Sequence, residues 1–148
     1  MEQDTPDLIL IEDNSYDTEF IIMTLKSKNI IINDEKMLVL NNGEDALNYF
    51  FCKKKYSARD IKDLPKLIIL DNKLPKYTGL EVIKKIKEDK RTSKVPIVML
   101  SSSQEGKDIS ESYRLGVNSY VVKPIDYNKF TEVIYQIGYY WLILNEVL

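Results

Sequence analysis

The 148-residue chain contains no histidine and a single cysteine, Cys52. Without histidine there is no Ser-His-Asp or Cys-His nucleophilic site and no imidazole general base. With one thiol there is no disulfide framework and no Cys/His zinc centre. An excess of positive charge is also missing, since Lys+Arg number 21 against Asp+Glu 23, for a net charge of -2. A field of that size does not grip a phosphate backbone, so a nucleic-acid partner is not expected. No apolar run approaches the roughly 18 residues of a membrane span, and the acidic first seven residues do not read as a secretory signal. The expectation is a cytoplasmic protein without nucleic-acid or membrane contacts.

What is present is an ordinary globular balance, 44% hydrophobic and 30% charged. At this length one domain buries roughly 70% of its unfolded surface and needs no covalent staple. Short apolar runs recur at 8–11, 37–40, 67–70, 97–100 and 120–122, rich in Ile, Val and Leu and without polar alternation. Strands buried on both faces of a parallel sheet read this way. Helical spacing separates them. One helix starts at Ser15 or Asp17 and a second at Gly43. A third opens at Gly79, and a fourth spans 109–115 and is closed by Gly116. A fifth begins near Asp126, after Pro124.

Five βα units predict an α/β fold with a doubly wound, five-stranded parallel sheet, (βα)5, as one domain over 1–148 with its core at 7–128. The polar stretch 53–65 reads as an inserted solvated loop, with Lys53-Lys54-Lys55 as a candidate docking patch. The last helix is expected to run long, 126–146. Phe130, Ile134, Ile137, Trp141, Leu144 and Leu148 form one apolar stripe at three- and four-residue spacing. Tyr135, Tyr139 and Leu142 form a second stripe that the same sheet cannot cover. These three and Trp141 are the interface candidates for a homodimer or another partner.

Ligands of open α/β sheets bind beyond the carboxyl ends of the strands. There the chain delivers Glu12 and Asp13, then Asp71, Ser101 and Lys123. Carboxylates gathered together repel by about 4 kcal/mol per pair at 4 Å and an effective dielectric near 20. A hard divalent cation relieves that conflict, and Mg²⁺ suits an all-oxygen donor set shared with a phosphate. A metal, a free carboxylate, a hydroxyl and an ammonium in one cleft point to phosphoryl transfer, with Asp71 as nucleophile. Taken singly, Glu12-Asp13-Asn14-Ser15 also reads as a helix-capping turn, and Ser101 and Lys123-Pro124 as ordinary loop residues.

The motifs Leu10-Ile11-Glu12-Asp13-Asn14, Ile69-Leu70-Asp71 with Leu74-Pro75 and Gly79, Val98-Met99-Leu100-Ser101-Ser102, and Tyr120-Val121-Val122-Lys123-Pro124 follow one another in this order. Together they resemble the response-regulator receiver domains of two-component signalling over essentially the whole chain. The resemblance implies flavodoxin-like strand order 2-1-3-4-5. It implies Mg²⁺ on Glu12, Asp13, Asp71 and the backbone carbonyl of Lys73, with Asp71 accepting phosphate from a phosphohistidine. It also implies Lys123 and Ser101 on the phosphoryl oxygens, and Tyr120 as the aromatic that repacks with Ser101. A receiver is a signalling protein, not an enzyme acting on a separate substrate; its partner is a sensor histidine kinase or a phosphotransfer protein. The tail Tyr140-Trp141-Leu142 and the long loop before the third strand resemble stand-alone receivers paired with bacterial phytochrome-type kinases. A receiver-fold interaction module not regulated by phosphate is the alternative reading.

Overall fold

The computed structural model describes residues 5–147. Residues 1–4 of the acidic start, and Leu148 of the predicted stripe, lie outside the described residues. The strands are β1 (Leu8–Ile11), β2 (Met37–Leu40), β3 (Leu67–Leu70), β4 (Ile97–Ser101) and β5 (Ser119–Val122). All pair in parallel in the order β2-β1-β3-β4-β5, with Ile11 opposite both Leu40 and Leu70, and Ser101 opposite Val122. Every residue of β1, β3 and β4 is buried, as the unbroken apolar runs require. The two edge strands differ: all of β5, and β2 except Leu40, are only half-buried, because each has a neighbour on one side alone.

The helices are α1 (Ser15–Ser27), α2 (Gly43–Phe50), α3 (Gly79–Glu88), α4 (Gly106–Arg114) and α5 (Tyr127–Gly138). Asn14, Asn42, Thr78 and Asp126 cap α1, α2, α3 and α5, each accepting a backbone N–H of the first turn. Gly116 follows α4 at φ +108°, a left-handed conformation that favours glycine. Alternate residues of each strand feed different cores. Ile9, Ile11, Ile68, Leu70, Ile97 and Met99 pack with Phe50, Val82, Ile83 and Ile86 of α2 and α3. Leu8, Leu10, Leu67, Ile69, Val98 and Leu100 pack with Ile21, Leu25, Phe130 and Ile134 of α1 and α5. Removing one such side chain to alanine costs about 2–5 kcal/mol.

One expectation needs correction. The last helix is not α-helical to its end: Tyr139–Leu144 is π-helical, closed by the Asn145 N–H donating to the Tyr140 carbonyl at 2.7 Å. The wider turn moves the buried register to a spacing of five, so Ile137 and Leu142 are buried together. Leu142, expected on the exposed second stripe, is 8% exposed, whereas Leu144, expected on the buried one, is 54% exposed. The inserted stretch is largely exposed, as expected of a solvated loop, but two of its side chains are anchored on α2. Tyr56 Oη donates to Asp45 Oδ2 at 3.1 Å, and the Arg59 guanidinium lies 3.8 Å from the Tyr49 ring centroid. Lys53, Lys54 and Lys55 remain exposed, and Lys54 pairs with Glu44 at 3.4 Å. Among the described residues no helix is long and apolar enough to cross a membrane.

Candidate functional site

Parallel pairing puts the carboxyl ends of β1, β3, β4 and β5 along one edge of the sheet. Beyond β1, Glu12 is buried and Asp13 exposed; beyond β3, Asp71 is buried. The Asp71 N–H donates to the Ile11 carbonyl at 3.0 Å, which holds the ends of β1 and β3 in register. One carboxylate oxygen from each of Glu12, Asp13 and Asp71 lies within 4.8 Å of the others. Magnesium–oxygen bonds of about 2.0–2.1 Å place two ligand atoms at most about 4.2 Å apart. The cluster therefore closes on a divalent ion with small side-chain adjustments, and its all-oxygen donor set suits a hard cation.

Lys123 enters from the end of β5, where its N–H donates to the Ser101 carbonyl at 2.8 Å. Its Nζ lies 2.9 Å from Glu12 Oε2, 2.9 Å from Asp17 Oδ2 and 3.4 Å from Asp71 Oδ2. Burial by itself would lower this ammonium, but the charge of Glu12, the Asp17 hydrogen bond and the charge of Asp71 together raise it above the ordinary lysine value. Glu12 shifts the other way from a normal carboxylate, up to about 7. Burial is the main cause and the Asp71 charge adds to it, while Lys123 opposes both. Three carboxylates thus surround one ammonium, and Asp13 adds a fourth acidic group to the same cluster.

Asp71 sits on a tightly packed loop. The Lys73 N–H donates to Asp71 Oδ1 at 3.4 Å, while the Lys73 side chain is exposed. Gly79, at the start of α3, donates to the Asn72 carbonyl at 2.9 Å. A Cβ on Gly79 would come within 2.5 Å of the Asp71 carbonyl oxygen, so only glycine lets α3 approach this closely. Further on, Lys76 and Tyr77 hold positive φ angles of 51° and 78° over the start of α2, where the Gly43 N–H donates to the Pro75 carbonyl at 3.1 Å.

Ser101, fully buried, does not bond a carboxylate among the described residues; its Oγ accepts the Ser103 N–H at 3.3 Å. Ser103 extends the connection. Its hydroxyl donates to Asp108 Oδ2 of α4 at 2.6 Å, and its carbonyl accepts from Tyr120 Oη at 2.9 Å. The half-buried Tyr120 ring packs against the first core. Of the predicted site residues, Glu12, Asp13, Asp71 and Lys123 therefore converge directly, and Ser101 and Tyr120 are joined to one another through Ser103. The interface candidates lie elsewhere, on the last helix. Tyr135 and Tyr139 stack with centroids 5.8 Å apart, Trp141 is half-buried, and Leu142 is packed in the second core.

Sequence reasoning treated Asp17 only as a helix start and missed its bond to Lys123. The signal was a carboxylate one helical turn beyond the strand end that carries Glu12 and Asp13. Ser103 and Asp108 were missed because nothing in their spacing separates them from loop and helix-surface residues.

Comparison with known proteins agrees with this geometry. Residues 8–135 match the family described as the response regulator receiver domain. The chain is 30% identical over 138 residues to the probable methanogenesis regulatory protein FilR2 of Methanothrix harundinacea, covering 93% of this chain and 84% of that one. It is 30% identical over 135 residues to response regulator Rcp1 of Synechocystis, covering 91% and 88%. The crystal structure of Mn²⁺-bound Rcp1 superposes with a TM-score of 0.85 at 28% identity, covering 97% and 99%. The phosphorylated cyanobacterial phytochrome response regulator RcpA gives 0.84 at 30% identity, covering 94% and 95%. Strand order, acidic cluster, convergent lysine and matched sequence agree: this chain belongs to the response regulator receiver domains of two-component signalling.

Proposed function

We propose that Asp71 is the phosphoacceptor, taking its phosphoryl group from a phosphohistidine of a sensor histidine kinase or a phosphotransfer protein. The convergence of Asp71 with Glu12, Asp13 and Lys123 at one sheet edge supports this most strongly. An Asp71 carboxylate oxygen forms the new O–P bond as the donor's P–N bond breaks, and the imidazole leaves with the electron pair. The 148 residues hold no histidine, so the donor imidazole lies outside them. Glu12, Asp13, Asp71 and the Lys73 carbonyl would hold Mg²⁺, which when bound would supply charge neutralisation for the transferring group. Lys123 and the Ser101 hydroxyl contact its oxygens.

A group of charge near -2 draws Ser101 toward it and away from the Ser103 N–H. Ser103 also holds Asp108 and Tyr120, so α4 and β5 shift with it, and the signal leaves by protein contact at that face. A phytochrome-type kinase as partner is supported by the similarity to RcpA, itself a phytochrome response regulator. A homodimer is supported by Tyr139, Tyr140, Ile143 and Leu144, all between 39% and 54% exposed on the last helix. Leu142 drops out of that surface because it is buried.

The test is intact mass after incubation with Mg²⁺ and acetyl phosphate. One added phosphoryl group is expected, and Asp71→Asn should abolish it; a gain that survives that substitution refutes the assignment. For the dimer, Tyr139→Ala with Trp141→Ala should lower the solution mass to that of one chain. A wild type already monomeric with and without phosphate rules the dimer out.

A further inference from the structure

The Lys123 ammonium has three N–H donors, and three different carboxylates surround it: Glu12 and Asp17 at 2.9 Å and Asp71 at 3.4 Å. Two of these, Glu12 and Asp71, also belong to the oxygen cluster suited to a divalent cation, but Asp17 does not. A cation drawing on Glu12 and Asp71 leaves Asp17 as the one acceptor of the three whose oxygens stay committed to the lysine. The backbone under Asp17 is fixed: its N–H donates to Asn14 Oδ1 at 3.0 Å, and Thr18 Oγ1 donates to the Asn14 carbonyl at 2.8 Å. Lys123 itself is only 12% exposed in its side chain, so water does not readily replace a lost partner.

We propose that Asp17 is a positioning residue for Lys123, holding the ammonium toward Asp71 while the cation and the phosphoryl group engage the other carboxylates. Asp17 has this role only if Asp71 is the phosphoacceptor. A simpler role also exists, because an acidic residue in the first turn of α1 favours the helix dipole. That role would change the melting temperature alone. Positioning changes the lysine and the chemistry as well.

Two measurements separate them. In ¹⁵N-labelled protein with a chelator at about pH 6, an ammonium shielded from water exchange gives a resolved signal, and both Lys123 and Lys87 remain charged there. Lys87 is the internal reference, since its Nζ donates to the Ser93 and Val95 carbonyls at 3.0 and 2.7 Å, far along the chain from Asp17. Lys123→Arg assigns the other signal. Asp17→Ala should broaden the Lys123 signal and leave that of Lys87. It should also slow phosphorylation by acetyl phosphate and Mg²⁺ at least fivefold. Asp17→Asn, which keeps an acceptor oxygen without its charge, should recover part of both. An Asp17→Ala protein with an unchanged Lys123 signal or an unchanged rate overturns the proposal, as does a wild type with no protected Lys123 signal. Phosphate that survives Asp71→Asn instead overturns the acceptor assignment.

Discussion

Replacing Lys123 by methionine keeps the length of the side chain and removes the positive charge that, among the described residues, pairs with Glu12, Asp17 and Asp71. Glu12 is 2% exposed and the Asp71 side chain 9%, so the orphaned carboxylates stay in a poorly hydrated place. Removing one partner of a buried ion pair costs about 3–5 kcal/mol. For a chain this long about 3 kcal/mol corresponds to roughly 10 °C of melting temperature in chelator. The deficit depends on pH. Glu12 is raised from 4.5 to about 7, so its protonated form supports the fold fully below pH 4.5, and that support is lost as pH rises through 7. Without Lys123 the attraction that lowers Glu12 disappears, its pKa climbs further, and the variant's deficit grows above about pH 7. Divalent cation acts oppositely. At an effective dielectric near 20, like charges 4 Å apart repel by about 4 kcal/mol, and relief of a third of that tightens a cation about tenfold. Thermal melts at several pH values, with Mg²⁺ titrated in, read both effects. Equal stability of the variant and the wild type in chelator, or equal Mg²⁺ affinity, would refute the view of Lys123 as the counter-charge of the site.

Gly79→Ala forces a Cβ to 2.5 Å from the Asp71 carbonyl oxygen, a backbone atom that cannot rotate away. A loss of about 1–3 kcal/mol is expected in the denaturant midpoint, and phosphorylation should slow more than tenfold as the acceptor loop is displaced. Tyr120→Phe removes the hydroxyl that donates to the Ser103 carbonyl, at a cost of about 1 kcal/mol. Hydrogen exchange should then quicken at the start of α4, and an unchanged exchange pattern counts against the Ser101–Ser103–Tyr120 connection. Arg59→Ala removes the guanidinium from the Tyr49 ring and from the Asp63 carbonyl. Proteolysis within 53–63 should become faster while phosphorylation of Asp71 keeps its rate; unchanged proteolysis would show that the loop is held otherwise.

The parts of this molecule legible in the sequence are those where one physical rule acts alone. Leu67–Leu70 had to be an inner strand because four consecutive apolar residues have no other partner-rich place to go. Asp71 had to lie at its carboxyl end. Glu12, Asp13 and Lys123 were placed by the same reasoning, applied strand by strand. The start of the last helix near Asp126 was legible from its place just after Pro124, whereas the Asn42 cap of α2 came only from the structure. The rest depends on competition between neighbours. Leu142 was misplaced because 3.6-residue periodicity was carried past Tyr139, where the backbone widens and Ile137 and Leu142 share the interior. Asp17 was overlooked because its own turn explains an acid equally well; only the approach of Lys123 from the far end of the chain, 106 residues on, gives it a second use.

The burial of α4 has a consequence for where a signal can emerge. Among the described residues of that helix Ser112 alone is buried, whereas α2 and α3 contribute five and four buried residues to the same side of the sheet. Opening free energies within a fold follow the packing that must be surrendered, so α4 stands lowest in the hierarchy of the helices on its side. If Ser101 moves as proposed, α4 is the helix on that side whose displacement gives up the fewest buried side chains, and α2 and α3 give up more. On that proposal the molecule would act as a divider of free energy, with a fully buried inner sheet that yields little and one sparsely buried helix that yields most.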